Sequence, residues 1–394
     1  MKKIKIAMVA PYPAQAVLRP EQIKPKYREH QSHPAPWVRS LTTALAKRND
    51  VEFHVFTHSR AVSSICCGEE NGVGYTVIPQ YEPGRIGCWH LHLPARIQFR
   101  KHIKNYAPDL IHGFGMESAY GLIASEQSAP GVIFIQGILT EYAPFLSQHS
   151  KGSIEVLKRL EQRAARRAAG LIAETAFAEK WAKRMNPAVK VAVIPHAINP
   201  EFFNAVPDFT ENECLCIGYV DQRKAVDIAI RALAAAKNSN LKLSVIGQGP
   251  LMSDMQALAK ELGIENRVAF FGHLDRGQII AKMAKARMLI IAARMDTSPN
   301  ILTEAHAAGL PVIGTRAGGI PDMIDDGKDG FLVDVDDFKA VAQKMDLLTS
   351  DVDLCRKLGA AGREKVKWLN DPDRIADLHV QFYHAIASMC GQQW

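Results

Sequence analysis

Short apolar runs alternate with amphipathic stretches along the chain. In the first part, the apolar runs predict β-strands at 4–9, 51–57, 75–78, 109–112, 132–136, 171–173 and 189–194. Helical spacing of apolar residues predicts helices at 37–47, 96–105, 120–127 and 154–169. Strands and helices that alternate in this way are typical of a parallel sheet covered by helices.

The alternation breaks once and then resumes. Residues 195–207 contain three prolines and no clear periodicity, so we interpret them as a linker between domains. A second series of predicted strands follows, at 214–220, 241–246, 268–271, 288–292, 312–314 and 331–333, and a final helix at 371–388. We therefore expect an α/β protein with two doubly wound, Rossmann-like parallel-sheet domains facing a central cleft. The first domain is 1–198, with a C-terminal helix in 372–394 packing back on it, and the second is 199–371.

The stretch from Asp296 to Gly319 carries the clearest candidate chemistry. It follows a predicted strand, and Pro299 suits the first turn of a helix that contains Glu304. Strand-to-helix turns at the carboxyl edge of a parallel sheet offer N–H groups and a positive helix end to an anion. The acids Asp296 and Glu304 can bind hydroxyl groups beside that anion. An anion site next to a polyol site suits a nucleotide-sugar.

Composition is typical of a cytoplasmic globular protein. The 394 residues are 47% hydrophobic and 23% charged. No apolar run approaches the ~18 residues of a membrane-spanning helix, and the first apolar run is too short for a signal peptide. The seven cysteines lack Cys-x-x-Cys spacing, which argues against a disulfide framework or a zinc site. His30 and His33 have no acidic or cysteine partner in the sequence, so we interpret them as surface histidines and expect no metal.

Charge is distributed unevenly along the chain. Residues 1–200 hold 26 Lys and Arg against 15 Asp and Glu, a net charge of +11, whereas residues 201–394 hold 22 against 26, a net charge of −4. A basic first half suggests an anionic acceptor or an anionic lipid surface as a partner there. The predicted helix at 154–169 carries five cations and would either rest peripherally on the inner face of a membrane or present a solvated face. We expect no nucleic-acid partner.

Five motifs of the second half occur in a recognisable order. They are Ile217-Gly218 with RKAVD at 223–227, VIGQGP at 245–250, VAFFG at 268–272, DTSPNILTEAHAAGLPVIGTRAGGIPDMI at 296–324, and DGKDGFLV at 326–333. This series resembles the retaining glycosyltransferases of GT-B-type family four, the glycosyl transferases group 1. The likeness covers about residues 200–370 well. It is weaker in the first half, where APDLIH at 107–112, IQG at 135–137 and VIPHAIN at 193–199 carry it.

The resemblance implies roles for individual residues. Glu304 matches the acid that binds the nucleotide ribose, and Lys224 matches the lysine that stabilises the departing diphosphate. Asp296 stands at the first acid position and would face the donor sugar. The sugar and phosphate are also expected to meet Pro299, Asn300, Ile301 and Leu302, and the ribose and base to meet Gly247, Gly272, His273 and Leu274.

The chain departs from the family pattern at three places. Tyr219 stands where relatives often have an Arg, and Arg223 is the expected substitute for that charge. Relatives often have a histidine at the position of Gln136. Glutamine cannot titrate near neutral pH but can hydrogen-bond a sugar hydroxyl, so Gln136 is still expected in the catalytic site and Gly137 against the donor sugar or phosphate. Residues 13–16 lack the Gly-Gly turn that commonly follows the first strand.

The resemblance implies a metal-independent, retaining hexosyltransferase of class EC 2.4 that needs no cofactor. Its donor would be a UDP- or GDP-linked sugar and its acceptor a glycan, a lipid-linked glycan or a small molecule. The alternative, motivated by the departures, is a catalytically degenerate relative that binds sugar nucleotides or glycans. A nucleotide-sugar epimerase or a sugar phosphorylase is a third interpretation. A dinucleotide oxidoreductase is disfavoured, because no Gly-x-Gly-x-x-Gly motif follows the first strand.

Overall fold

A computed structural model describes residues 3–28, 35–80, 93–116, 119–146 and 151–391. His30 and His33 lie outside these ranges. The chain divides into two compact units. Unit 1 comprises Met1–Ala143, Ser147–Ala197 and Pro372–Trp394, and unit 2 comprises Pro144–Leu146 and Ile198–Asp371.

The core of unit 1 is a sheet in which eight strands are described. They are β1 (Ile4–Val9), β2 (Val51–Ser59), β3 (Cys66–Glu70), β4 (Val73–Pro79), β5 (Leu110–Phe114), β6 (Gly131–Phe134), β7 (Gly170–Ala173) and β8 (Lys190–Val193). Their order is β3-β4-β2-β1-β5-β6-β7-β8, and every pairing is parallel except the edge pair of β3 with β4. Strand β3 was not predicted, because its sequence, CCGEE, lacks the apolar alternation of a strand.

Helices cover both faces of this sheet. The described α-helices of unit 1 are α1 (Ala14–Val17), α2 (Pro36–Ala46), α3 (Leu93–Tyr106), α4 (Ala119–Ser125), α5 (Leu139–Tyr142), α6 (Lys151–Arg167), α7 (Ala176–Met185) and α14 (Pro372–Met389). One hydrophobic cluster joins α2 and α14 to the sheet. A second cluster joins α3, α4, α6 and α7 to alternate residues of the same strands.

The last helix, α14, is an integral part of unit 1. The Nδ1 atom of His112 on β5 lies 2.6 Å from the hydroxyl of Tyr383 on α14, and both side chains are buried. A Cβ atom at Gly170 would lie 2.7 Å from Ile386, so the absence of a side chain lets α14 approach β7 closely. The chain therefore returns to its first unit after completing the second.

Unit 2 holds a parallel sheet in which six strands are described. They are β9 (Glu213–Ile217), β10 (Lys242–Ile246), β11 (Val268–Gly272), β12 (Met288–Ile291), β13 (Val312–Thr315) and β14 (Gly330–Val333), in the order β11-β10-β9-β12-β13-β14. Its helices are α8 (Val226–Ala235), α9 (Met252–Glu261), α10 (Arg276–Lys285), α11 (Asn300–Ala307), α12 (Phe338–Ser350) and α13 (Val352–Leu369). The strand order reverses between β9 and β12, and ligands bind open α/β sheets at the carboxyl ends of the strands at such a point.

Two irregular segments are more ordered than their sequences suggest. The predicted linker contains a 3₁₀ turn, Pro200–Asn204, whose Phe202 is buried in the core of unit 2. The N–H of Ile198 donates to the carbonyl of Asn370 at 3.0 Å, which joins the beginning and the end of the main segment of unit 2, Ile198–Asp371. After β1, the segment without a Gly-Gly turn forms α1 instead.

Candidate functional site

Three neighbouring strands of unit 2 end in glycines with positive φ. These are Gly218 after β9, Gly247 after β10 and Gly272 at the end of β11, with φ of 149°, 139° and 64°. The N–H of Gly247 donates to the carbonyl of Gly272 at 2.6 Å. A Cβ atom at Gly247 would lie 1.9 Å from the carbonyl oxygen of Gly218. Glycine is therefore required at position 247, because the turns after β9 and β10 pack directly against each other. This edge of the sheet is consequently lined by backbone atoms.

The loop between β9 and α8 presents two cations. The N–H of Lys224 donates to Asp221 at 2.9 Å, and Ala225 adopts a left-handed conformation before α8 begins. Arg294 stabilises this loop through two contacts. Its backbone N–H donates to the carbonyl of Arg223 at 2.8 Å, and its guanidinium pairs with Asp227 on α8 at 2.7 Å. Arg223 and Lys224 thus extend from a fixed backbone.

Both cations converge on Asp296, which follows β12. The Nζ atom of Lys224 lies 2.5 Å from Oδ2 of Asp296, and a guanidinium nitrogen of Arg223 lies 3.6 Å from the same oxygen. Burial disfavours the ionised carboxylate, but the charges of Lys224 and then Arg223 outweigh it, and the pKa of Asp296 is lower than usual. Arg223 also lies 3.9 Å from a second carboxylate, that of Asp221, so the two cations are balanced by two acids within the protein. Their ammonium and guanidinium N–H groups are nevertheless donors of the kind that bind a diphosphate.

A third segment encloses the backbone of Asp296. The N–H of Gly319 donates to the carbonyl of Asp296 at 2.9 Å. Gly318 has a φ of 55°, and a Cβ atom there would lie 2.0 Å from the same carbonyl oxygen. The turn after β13 therefore fixes the acid that the two cations contact.

Helix α11 begins one residue later than the sequence predicts. Pro299 is an extended N-cap residue, not a residue of the first turn, and the N–H of Leu302 donates to its carbonyl at 2.9 Å. Leu302 places its side chain in the core, whereas Asn300 and Ile301 are half-buried at the helix start. Glu304 follows Asn300 by four residues and is also half-buried, so the two lie on the same face of α11.

The residues predicted at the base lie at the end of β11. His273 is exposed and Leu274 half-buried between Gly272 and α10, which begins with a capping box formed by Asp275 and Gln278. Tyr219 is 53% exposed directly after Gly218. The structure thus places the predicted residues of unit 2 on the carboxyl-end loops of β9, β10, β11 and β12, and their roles stay predictions.

In unit 1, Gln136 and Gly137 are half-buried in the turn after β6. The following helix, α5, is held by Glu161 of α6, whose carboxylate accepts the N–H groups of Leu139 at 2.5 Å and Thr140 at 2.9 Å. Glu161 was not predicted as a site residue, because it stands among cations on a basic helix. Its partners lie 22 and 21 residues away in sequence, so no local pattern indicated them.

A buried pair at the same edge of the unit 1 sheet was also not predicted. Glu174 directly follows β7, and its carboxylate lies 3.1 Å from Nδ1 of His196, which follows β8. Both side chains are nearly inaccessible to solvent. β6 and β7 are paired in parallel, with Phe134 opposite Ile172, so Gln136 and Glu174 both follow the carboxyl ends of neighbouring strands.

Candidate metal ligands do not cluster in the part of the chain that the structure describes, where no group of three His, Cys, Asp or Glu side chains could hold an ion. In the same described ranges, no helix is long and apolar enough to span a bilayer.

Two family models match the chain in adjacent segments. The model for glycosyl transferases group 1 matches residues 199–365, and that for glycosyltransferase family 4 matches residues 36–202. Together they extend over most of both units.

Curated relatives match in part. The chain is 31% identical over 180 residues to N-acetyl-alpha-D-glucosaminyl L-malate synthase of Bacillus anthracis, covering 45% of this chain and 47% of the relative. It is 25% identical over 223 residues to GDP-mannose-dependent alpha-(1-6)-phosphatidylinositol monomannoside mannosyltransferase of Mycolicibacterium smegmatis, covering 50% and 58%. The chain thus matches about half the length of these curated relatives.

Among solved structures, sucrose-phosphate synthase of Thermosynechococcus elongatus superposes with a TM-score of 0.79 over 98% of this chain and all of that one, at 20% identity. At this identity the likeness shows the fold alone, and that fold is the GT-B type with its two parallel-sheet α/β domains. The expected fold class is therefore confirmed, and the chain belongs to the GT-B glycosyltransferases of family four, the glycosyl transferases group 1.

Proposed function

We propose that the protein transfers a hexosyl group from a nucleotide-sugar to an acceptor hydroxyl, as a glycosyltransferase of class EC 2.4. The observation that carries the proposal is the cluster of Lys224, Arg223 and Asp296 at the strand-order reversal of unit 2, beside the start of α11. Its cations suit a departing diphosphate, and Glu304 suits a ribose diol. A relative uses GDP-mannose, and a UDP- or GDP-linked sugar is the donor we propose.

Transfer in this proposal proceeds with retention and without a metal ion. Lys224 and Arg223 stabilise the charge that develops on the leaving diphosphate, which is the task a metal performs in other transferases. Gln136 offers hydrogen bonds but no titratable group, so the departing phosphate itself takes the proton of the acceptor hydroxyl. Arg223, 3.6 Å from Asp296, supplies the second cation that Tyr219 does not.

We further propose an anionic acceptor. The names of the relatives above contain L-malate and phosphatidylinositol monomannoside, and both of these compounds carry negative charge. Unit 1 carries the excess of cations, among them Arg159, Arg166 and Arg167 at exposed positions of α6. An acidic glycan, an anionic lipid-linked glycan or a small acid is an acceptor of the class we propose.

An anionic membrane surface is a proposed partner, with the protein cytoplasmic and peripheral to the inner face. On α3, Leu93 and Ile97 are 48% and 60% exposed, and the exposed Lys101 and Lys104 follow them on the same helix. Exposed apolar side chains next to cations bind anionic bilayers through both burial and charge.

A thermal-shift screen against UDP, GDP, ADP and their sugars, followed by turnover with a panel of acceptors, tests the proposal. We expect one nucleotide family to stabilise the protein and its sugar to be transferred with retained anomeric configuration. Tight binding without transfer or hydrolysis on a broad panel would instead support the degenerate relative, for which the exposed Tyr219 is the motivating observation. No stabilisation by any nucleotide would contradict both.

A further inference from the structure

Glu161 is an acid buried inside a basic helix. Its side chain is 0% exposed, although the neighbouring positions of α6 present cations to solvent. A carboxylate is costly to remove from water unless hydrogen bonds satisfy its oxygens. Here each oxygen accepts one backbone N–H, that of Leu139 at 2.5 Å and that of Thr140 at 2.9 Å.

The two donors are the first residues of α5. The first N–H groups of a helix have no partner within the helix, and a negative charge near them is favourable. Helix α5 has four residues, too few to be stable without outside contacts, and its N-cap residue Ile138 provides no side-chain hydrogen bond. Glu161 provides that cap from another helix.

A second contact supports the same helix start. The Nε1–H group of the buried Trp181 on α7 donates to the Thr140 hydroxyl at 2.9 Å. At the other end of the turn, the N–H of Ile135 donates to the carbonyl of Ile172 on β7 at 2.8 Å. The segment Gln136–Ile138 is thus held by the sheet on one side and by Glu161 and Trp181 on the other.

We propose that Glu161 is a positioning residue for sugar transfer: by capping α5 it fixes the backbone of the turn that presents Gln136 and Gly137. This rests on the proposed function, in which that turn lines the site. A displacement of about 1 Å in such a group can slow a reaction about a hundredfold. A carboxylate is needed because it accepts at both oxygens, whereas a glutamine amide would set its NH₂ group against one of the backbone N–H groups.

The variant Glu161→Gln tests the proposal, with Glu155→Gln as the matched control. Glu155 lies on the same helix, is exposed, and pairs with Lys158 at 3.4 Å. Measured quantities are kcat, the acceptor KM, the ratio of donor hydrolysis to transfer, the donor Kd by titration calorimetry, and the thermal midpoint.

We expect Glu161→Gln to lower kcat at least about tenfold and raise the ratio of hydrolysis to transfer. Its Kd for the nucleoside diphosphate of the donor, measured in the same calorimeter, should stay within about twofold of wild type, since Lys224 and Glu304, the residues predicted to hold the diphosphate and the ribose, belong to unit 2. Glu155→Gln should match wild type in every measurement.

A folded Glu161→Gln protein with unchanged kcat, KM and hydrolysis ratio would overturn the inference. The same holds if it melts earlier but retains wild-type kinetics per folded molecule, because the role would then be structural only. If Glu161→Gln does not fold, Glu161→Asp keeps the charge but withdraws the carboxylate from Leu139 and Thr140 by one methylene, and unchanged kinetics in that variant would overturn the proposal. A wild-type protein that binds donors but never transfers refutes the proposed function itself, and the inference with it.

Discussion

Lys224 and Asp296 lie 72 residues apart in sequence, yet Nζ of Lys224 lies 2.5 Å from Oδ2 of Asp296. The contact joins the loops that follow β9 and β12, the two strands between which the order of the unit 2 sheet reverses. The cation proposed for the diphosphate and the acid proposed for the sugar are therefore in direct contact within the protein.

Replacing Lys224 with Met should slow turnover about a hundredfold, because a preorganised charge at a leaving group contributes that much or more. It should also raise the pKa of Asp296, whose lowering depends first on Lys224 and then on Arg223 against the effect of burial. Initial rates from pH 8 down to pH 4 would show the acid limb moving to higher pH. Lys260→Met, at an exposed position of α9, is the control. Unaltered kcat would remove Lys224 from the diphosphate site.

Replacing Glu304 with Ala should weaken donor binding. A hydrogen bond to a carboxylate contributes about 1.5–3 kcal/mol, which corresponds to about ten- to a hundredfold in Kd. Titration calorimetry with the tightest nucleotide measures this, with the exposed Glu261→Ala on α9 as control. Equal Kd values for Glu304→Ala and wild type would exclude the ribose contact.

Gly247→Ala should destabilise unit 2 strongly. Besides the cost of a φ of 139°, the new methyl group would lie 1.9 Å from the backbone oxygen of Gly218. Gly263→Ala is the control, since Gly263 also has positive φ but nothing within 4 Å of the added carbon, and it should lose only about 1–2 kcal/mol. Denaturant midpoints should separate the variants by at least about 2 kcal/mol. Equal losses would mean that the contact between the two turns relaxes freely.

Acidification should loosen the packing of α14. Burial lowers the pKa of His379 to about 4 and that of His112 well below its usual value, so both are neutral in the folded protein. The unfolded chain binds these protons near pH 6.5, so stability is complete above that pH and falls between about 6.5 and 4. Each such group contributes about 1.4 kcal/mol per pH unit in this window.

His379→Leu should therefore flatten the dependence of the thermal midpoint on pH between 7 and 5. His273→Gln, at an exposed position, should leave the slope as it is in wild type. A slope unchanged by His379→Leu would show that His379 is not part of the acid response.

Ile97→Gln should weaken binding to vesicles that contain anionic lipid by about tenfold, because burial of one large aliphatic side chain contributes about 1.5–3 kcal/mol. The control is Val206→Gln, whose side chain is 79% exposed in unit 2. Cosedimentation at low and at high salt measures the effect. Equal binding by both variants would place the contact elsewhere.

The strand and helix order was predictable because apolar runs and helical spacing are local properties. β1 is predicted to the residue, and the strands of unit 2 lie within a few residues of their predicted bounds. Helix α7 was not predicted, although Thr175 caps its first turn and its own residue Trp181 is buried. Contacts between residues distant in sequence could not be predicted from local pattern. They include the contacts of Arg223 and Lys224 with Asp296. They also include the pair of Glu174 with His196 and the cap that Glu161 provides.

The order in which the chain visits its units has a consequence for biosynthesis. A ribosome completes residues 198–371 before it makes α14, so for that time the strands that α14 covers stay exposed in the nascent first unit, on a face where only α2 can already pack. Through that interval Val132, Phe134 and Ile172 lack their cover from Tyr383 and Ile386. A chaperone that shields apolar surface would bind the nascent chain most strongly in this interval. A nonsense codon just before Pro372 would leave unit 1 incomplete, although the truncation lies next to unit 2 in the sequence.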